Sequence, residues 1–324
     1  MKMGLAHKVA HIVAAALLVA TTAAFAQYPD RPVKIINPYA VGGSVDTLTR
    51  LFAQKVSERS GKRFLVDNKT GAGGRIGYDF VAKSPGDGYT LVAADPAGYA
   101  VLGALYPTLP WDHANDLVPV TVFARAPFAI VVSPQSRFKT LAQLLEYSRA
   151  NPGKINYGSP GLGTPAQLLM EYLQLEANVT WTHVPYKGGS EALVAVMSNT
   201  VDLMVTGVPT ILGHMKQGSV VVLAVTSQNR WPGADAVPTL VEQGLNVATY
   251  SSYGLMAPKG TPTPVMDYLY QQAVSLREDP GMKEALSAQG VQAAAMSPAE
   301  LSRFLSEDTK LWKKVVGAAK IKVE

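Results

Sequence analysis

The 324-residue chain contains no cysteine, so disulfides, thiolate metal sites and a lipid-modified N-terminal cysteine are all excluded. Histidine is scarce. Beyond the first 26 residues only His113, His183 and His214 occur, with no HExxH or paired spacing that would hold a metal. Each is read as a structural or surface histidine. The nucleophile-elbow pattern G-x-S-x-G is missing; Gly188-Gly-Ser-Glu-Ala192 comes nearest, with alanine in the last place. No apolar run after residue 26 is long enough for the ~20 residues of a membrane span. Repeats and low-complexity linkers are absent. The only local basic cluster, Lys313, Lys314, Lys320 and Lys322, reads as a solvated helix face and tail, and no nucleic-acid partner is expected.

What is present begins with a processing signal. Lys2 and Lys8 precede an Ala-rich apolar stretch over 9–25, closed by the small-x-small site Ala24-Phe-Ala26. Residues 1–26 are expected to be a signal peptide removed after Ala26, which delivers the chain to the periplasm. The remaining 298 residues have a net charge of +3 in place of +5, because two lysines and no acids are removed. That length suggests two domains.

Strand and helix patterns alternate throughout, which predicts an α/β fold with mainly parallel sheets. Strands are expected over 33–36, 64–66, 90–93, 129–132, 155–157, 203–205 and 220–225. Leu48, Leu51, Phe52 and Val56 form the stripe of a core-facing helix. Thr140 with Gln143, and Thr164 with Gln167, fit capping boxes, and Pro165 stands at N1. Ser297, Pro298 and Glu300 open a last helix. Its core stripe is Leu301, Phe304, Leu305, Leu311, Trp312, Val315 and Val316. The Pro-rich pieces at 106–111 and 258–264 are expected to be surface connections.

Three times an apolar run breaks into a Gly-rich turn and opens a helix. The turns are Asn37-Pro-Tyr-Ala-Val-Gly-Gly-Ser-Val-Asp46, Tyr157-Gly-Ser-Pro-Gly-Leu-Gly-Thr-Pro-Ala-Gln167 and Pro185-Tyr-Lys-Gly-Gly-Ser190. Backbone N–H groups at a helix start favour an anion. The second turn matches the dinucleotide fingerprint through Gly161, Gly163 and Ala166. The ribose-binding acid is missing, since no carboxylate lies between Glu176 and Glu191. Gly71-Ala-Gly-Gly-Arg-Ile-Gly77 fails that spacing and reads as a turn needing positive φ. Three anion-binding turns without a nucleophile, base or metal cluster describe a protein that holds a small acid without transforming it.

The chain resembles the periplasmic solute receptors of the tripartite tricarboxylate transporter class, the Bug-type receptors. The markers run in order from Tyr28-Pro-x-Arg-Pro-Val-Lys-Ile-Ile36 through Gly42-Gly-Ser-Val-Asp46 and Asp67-Asn-Lys-x-Gly-Ala-Gly-Gly-x-Ile-Gly77. Pro85-x-Asp-Gly-Tyr-Thr-Leu91, His183-Val-Pro-Tyr-Lys-Gly188, Leu223-Ala-Val-Thr-Ser227 and Gly254-Leu-x-Ala-Pro258 follow. The resemblance implies a two-lobed periplasmic-binding-protein fold, each lobe a mainly parallel sheet flanked by helices, with the ligand in the interlobe cleft. Lobe 1 is expected over 27–126 and 253–324, and lobe 2 over 127–252.

It further implies a carboxylated ligand, an organic acid or amino acid, and no cofactor. Its binding residues would be Tyr39, Gly42, Gly43, Ser44 and Asp46 from lobe 1. From lobe 2 would come Ser159, Gly161, Gly163, Thr164, Gln167, Tyr186, Lys187, Gly188 and Thr206. Asp46 cannot face an ionised carboxylate directly; it would favour the helix start, or accept from a bound water or a ligand amine. Ala40, Val41, Gln167, Ala195, Thr206, Gly207 and Ser252 depart from the family pattern, so the ligand's identity does not transfer. The implied role is a monomeric receptor that hands its ligand to a membrane transporter. Signalling to a membrane sensor domain is an alternative, and an exported hydrolase is a rival from another class.

Overall fold

The computed structural model describes residues 28–321. The expected signal peptide lies outside the described residues. Ten strands form one continuous sheet: β1 (Val33–Asn37), β2 (Phe64–Asn68), β3 (Thr90–Ala94), β4 (Leu117–Val132), β5 (Asn156–Ser159), β6 (Thr182–Pro185), β7 (Leu203–Gly207), β8 (Val221–Val225), β9 (Tyr250–Pro258) and β10 (Gln292–Met296). The order is β2-β1-β3-β9-β4-β7-β5-β6, with β8 and β10 also paired to β4.

Two parallel groups stand at the ends. β2, β1 and β3 form one, and β7, β5 and β6 the other. All pairings of β4 are antiparallel, as is β3 with β9. The sheet is thus parallel in its two end groups, as expected of a mainly parallel pattern, and antiparallel at its centre. The difference lies in β4, a single strand of 16 residues. Pro119, Arg125 and Pro127 interrupt its alternation and read as strand breakers. In the fold, the register against β9 shifts beside Pro119, and Pro127 stands opposite Tyr250 at the end of that pairing. From Phe128 onward β4 pairs with β7 instead. One strand thus passes from the first parallel group into the second. The passage is pinned by buried Thr226, whose hydroxyl accepts from Phe128 N at 2.9 Å and donates to Thr249 O at 2.7 Å.

Alternate residues of each strand feed two cores, one on each face of the sheet. Ile36, Val92, Ile130 and Val205 point to one face, whereas Ile35, Leu91, Val131 and Met204 point to the other. Helices cover both faces. After each parallel strand the chain turns into a helix: α1 (Ser44–Ser60), α2 (Arg75–Ala82) and α3 (Pro96–Leu105) follow β1, β2 and β3. Between β4 and β5 lies α4 (Leu141–Ala150). In the second group α5 (Pro165–Ala177), α6 (Gly189–Met197) and α7 (Val208–Lys216) follow β5, β6 and β7. The chain ends with α8 (Thr263–Glu278), α9 (Pro280–Ser287) and α10 (Pro298–Ala318).

In α1 the stripe Leu48, Phe52 and Val56 is buried, Leu51 is half-buried, and Phe52 stacks on Phe123 at 4.4 Å. Both partners of the Ser297–Glu300 capping box are formed at α10. Its residues Leu301, Leu305, Trp312 and Val315 are buried, with Phe304, Leu311 and Val316 packed beside them. The Pro-rich piece at 106–111 is not all surface, because Trp111 is buried and its indole donates to Tyr99 Oη at 3.1 Å.

Candidate functional site

In each parallel group the helices start at the carboxyl ends of the strands, the edge where α/β folds hold ligands. The turn after β1 faces the starts of α6 and α7 across a cleft of ≈590 Å³. Gly42, Gly43, Ser44 and Thr47 line one wall, and Gly189, Ser190, Pro209 and Thr210 line part of the other. A larger cavity of ≈710 Å³ lies against α10 and the 106–114 segment and includes none of the three Gly-rich turns. The smaller cleft is the candidate site because the open backbone donors converge there.

Four of the glycine amides in the three turns are already occupied within the fold. Gly42 N–H donates to Asp46 Oδ2 at 3.0 Å, and Gly43 N–H to Ala40 O at 3.3 Å. In the second turn, Gly161 N–H donates to Ser159 Oγ at 3.1 Å and Gly163 N–H to Gln167 Oε1 at 2.6 Å. Thr164 caps α5 by accepting from Gln167 N–H, so that helix start is closed by its own side chain. Tyr186 N–H donates to Ser159 O at 3.0 Å, and Lys187 N–H reaches Glu191 Oε2 at 3.3 Å.

By contrast, α1, α6 and α7 each follow a glycine N-cap, Gly43, Gly188 and Gly207, and none has a side-chain cap bond. Glycine has no side chain with which to close the first turn. First-turn N–H groups have no intrahelical acceptor, so those of Ser44, Val45, Gly189, Ser190, Val208 and Thr210 are left for water or a ligand. Three positive dipole ends thus meet at one cleft.

Asp46 builds the first of these starts. It is 2% exposed and takes donors on both oxygens. Asn37 Nδ2 (3.1 Å) and Asn68 Nδ2 (3.0 Å) donate to Oδ1, Gly42 N to Oδ2, and Arg50 Nε to both oxygens at 3.1 and 3.0 Å. Burial alone would push its carboxyl up. The Arg50 guanidinium, Gly42 N–H, Asn68 and Asn37 outweigh that and hold it well below the usual carboxylate range. With these donors in place, Asp46 is the post that shapes the Gly42–Gly43 turn.

Ser159, Gly161, Gly163, Thr164, Gln167, Tyr186, Lys187, Gly188 and Thr206 are not among the residues that line this cleft. Gly161 lies against Tyr186, because a Cβ on it would stand 3.4 Å from Tyr186 O. The Tyr186 ring covers Gly158. Ser159 is fully buried and its hydroxyl meets His183 Nε2 at 2.6 Å, while His183 stacks on Tyr157 at 4.8 Å. Burial lowers the His183 pKa. Ser159 Oγ also lies 3.1 Å from Gly161 O, so it can accept from His183 and Gly161 N–H while donating to that carbonyl. Because Ser159 is fully buried, its hydroxyl is not presented to solvent. Thr206 is buried on β7 opposite Ala129, one residue before the Gly207 cap. Lys187 is exposed, and Tyr39 is half-buried with its hydroxyl 3.3 Å from that of Tyr78.

The cleft also contains residues that the sequence reading missed: Thr47, Thr210, Leu212, Gly213, Lys216 and Gln289 among them. A strand ending in Thr206-Gly-Val-Pro209 was the available signal, since it repeats the strand–glycine–helix pattern with proline in the first turn. Nothing local marked Gln289, which follows α9 and reaches α7 only through the tertiary fold. Among the described residues, no three His, Asp or Glu side chains group as a metal site, and no helix is long and apolar enough to cross a membrane.

Comparison with known proteins agrees with this architecture. Residues 48–321 match the tripartite tricarboxylate transporter family receptor. A UPF0065 protein encoded between tcbD and tcbE in Pseudomonas sp. strain P51 is 37% identical, covering 89% of this chain and 86% of that protein. Protein BugT of Bordetella pertussis is 32% identical, covering 89% of each. A Rhodopseudomonas palustris protein solved with adipate superposes with a TM-score of 0.81 at 32% identity, over 91% of this chain and 99% of that one. MatC from the same organism, with bound malate, gives 0.77 at 26%, over 89% and 100%. The matched family is one of receptors, not of enzymes. The chain belongs to the periplasmic receptors of the tripartite tricarboxylate transporter family.

Proposed function

We propose that this receptor captures a small carboxylated solute in the cleft and presents the occupied form to a membrane transporter. The observation that carries the reading is the meeting of three helix starts, each left uncapped by a glycine, in a cleft with no acidic side chain on its walls. A carboxylate taken out of water needs several donors, and preoriented N–H groups supply them. Two similar proteins solved with dicarboxylates, adipate and malate, support the ligand class. Donors from both walls acting on one ligand favour a closed form, which is the differential affinity that a population shift requires. On this reading 1–26 is removed after Ala26. Residues 27–126 with 253–324, and 127–252, then move as two lobes about the β4 and β9 crossings.

The test is Ser44→Pro. Position 44 is the first helical residue, where proline fits, and Gly43 at φ −69°, ψ 164° already has the backbone that precedes proline. The change removes one cleft N–H donor with little strain. The wild type should gain melting temperature with a member of a panel of mono-, di- and tricarboxylates. Ser44→Pro should melt as the wild type without ligand and bind about tenfold or more weakly, the loss of a hydrogen bond to a charged group. Equal binding by both proteins, or no binding by the wild type across the panel, overturns the proposal.

A further inference from the structure

The cleft is longer than a single carboxylate needs. Its lobe 2 wall includes Pro209, Thr210, Leu212, Gly213 and Lys216. These residues fall on one face of α7, so the cleft continues as a groove along the helix axis. The first turn of lobe 1 and Gln289 form the opposite side. Thr210 and Lys216 are separated by about 9 Å of helical rise. Between them Gly213 leaves the groove open, because a Cβ added there meets no heavy atom within 4 Å. Lys216 is the one charged side chain on the groove walls, and it joins no salt bridge among the described residues. The other basic residue of that last helical turn, His214, has its Nδ1 3.0 Å from Ser219 Oγ.

We propose that Lys216 is the specificity-determining residue of this groove, selecting elongated solutes with a second anionic group over monocarboxylates. This inference rests on the proposed carboxylate site. One carboxylate lies at the open helix starts, the apolar middle passes over Gly213 and Leu212, and the far group meets the Lys216 ammonium. The C-terminal dipole of α7 repels an anion with about half a unit charge, and the full charge of lysine outweighs it. An extended carbon chain gains about 1.25 Å per bond of about 1.5 Å, so an eight-carbon diacid places its carboxyl carbons about 9 Å apart.

The probes are octanedioate, octanoate and butanedioate, titrated calorimetrically into the full mature protein, Lys216→Met and Gly213→Leu. The wild type should bind octanedioate about tenfold tighter than octanoate, as for a hydrogen bond to a charged group. Lys216→Met should bring that ratio close to one while leaving octanoate affinity unchanged. Butanedioate, too short to reach both ends, should be insensitive to Lys216→Met. Gly213→Leu should weaken both eight-carbon acids without lowering the melting temperature, because leucine is the better helix former. If carboxylates bind but Lys216→Met keeps the wild-type ratio, or if the wild type binds octanoate as well as octanedioate, the role of Lys216 is overturned and the carboxylate site stands. If the wild type binds none of the three, the role of Lys216 is overturned, and only failure across the wider acid panel removes the carboxylate site as well.

Discussion

Replacing Asp46 by asparagine tests whether one buried carboxylate holds the first wall of the cleft. The volume is kept and the charge is lost. The amide oxygen can still accept from Asn37 and Asn68. Its NH2 group then faces Gly42 N–H and Arg50 Nε, both donors, where a carboxylate oxygen had accepted. Breaking a buried pair costs ~3–5 kcal/mol, and the 46% exposure of the Arg50 side chain lets water replace part of the loss. The expected destabilisation is therefore about 2–3 kcal/mol, at the lower end, because exposed partners are screened. For a chain of this size that lowers Tm by roughly 3–5 °C.

The pH dependence gives a second readout. The folded pKa of Asp46 lies below its unfolded value of about 3.9. Its contribution is therefore present above that pH and is lost as the pH falls toward the folded value. Thermal unfolding of both proteins from pH 7 down to pH 3 should show the Tm difference narrowing below pH 4. Ligand stabilisation should also weaken, because the Gly42–Gly43 turn has lost its post. A Tm for Asp46→Asn within 2 °C of the wild type at pH 7 would refute the reasoning.

Two other outcomes follow from buried polar groups. His183→Ala removes the partner of Ser159 Oγ and should lower Tm by a few degrees, the effect of about 1 kcal/mol, with an unchanged Tm contradicting the bond. Asp308 stands on the buried face of α10 with its Oδ2 accepting from Trp312 Nε1 at 2.7 Å, and burial pushes its carboxyl up to about 7. A raised acid binds its proton more tightly when folded, so its stabilising contribution is complete below about pH 4 and fades as the pH rises through 7. Asp308→Asn keeps the acceptor without the titration. It should melt higher than the wild type at pH 8, with the gap narrowing below pH 7 and closing near pH 4, and differential scanning fluorimetry across that range checks it.

Much of the fold was legible because it is written in local patterns. The stripe of α1, the Thr164 cap and the Ser297–Glu300 box are short-range devices, and each appears where the spacing placed it. β4 was only partly legible. Only its 129–132 end was expected as a strand, and its length depends on β9, more than a hundred residues away, accepting the shifted register beside Pro119. The site was legible at the level of its turns and not at that of its donors. A glycine amide looks free in a sequence. Whether it is free depends on a side chain such as Asp46 or Gln167 folding back to occupy it. Tertiary structure left the N–H groups of the first turns of α1 and α6 available, Ser44 of the expected residues among them, and added α7.

By itself the sequence determined the alternation of strands and helices, the family and, through the lack of cysteine, the absence of thiolate chemistry. Those follow from residue types at short spacing, because propensity, capping and periodicity act over a few residues. Only the tertiary structure decided which helix starts face one another, which amides remain open, and that Lys216 stands at the far end of the same groove. Those are long-range facts, set by how a continuous sheet carries two groups of parallel strands and turns their carboxyl ends toward a common cleft.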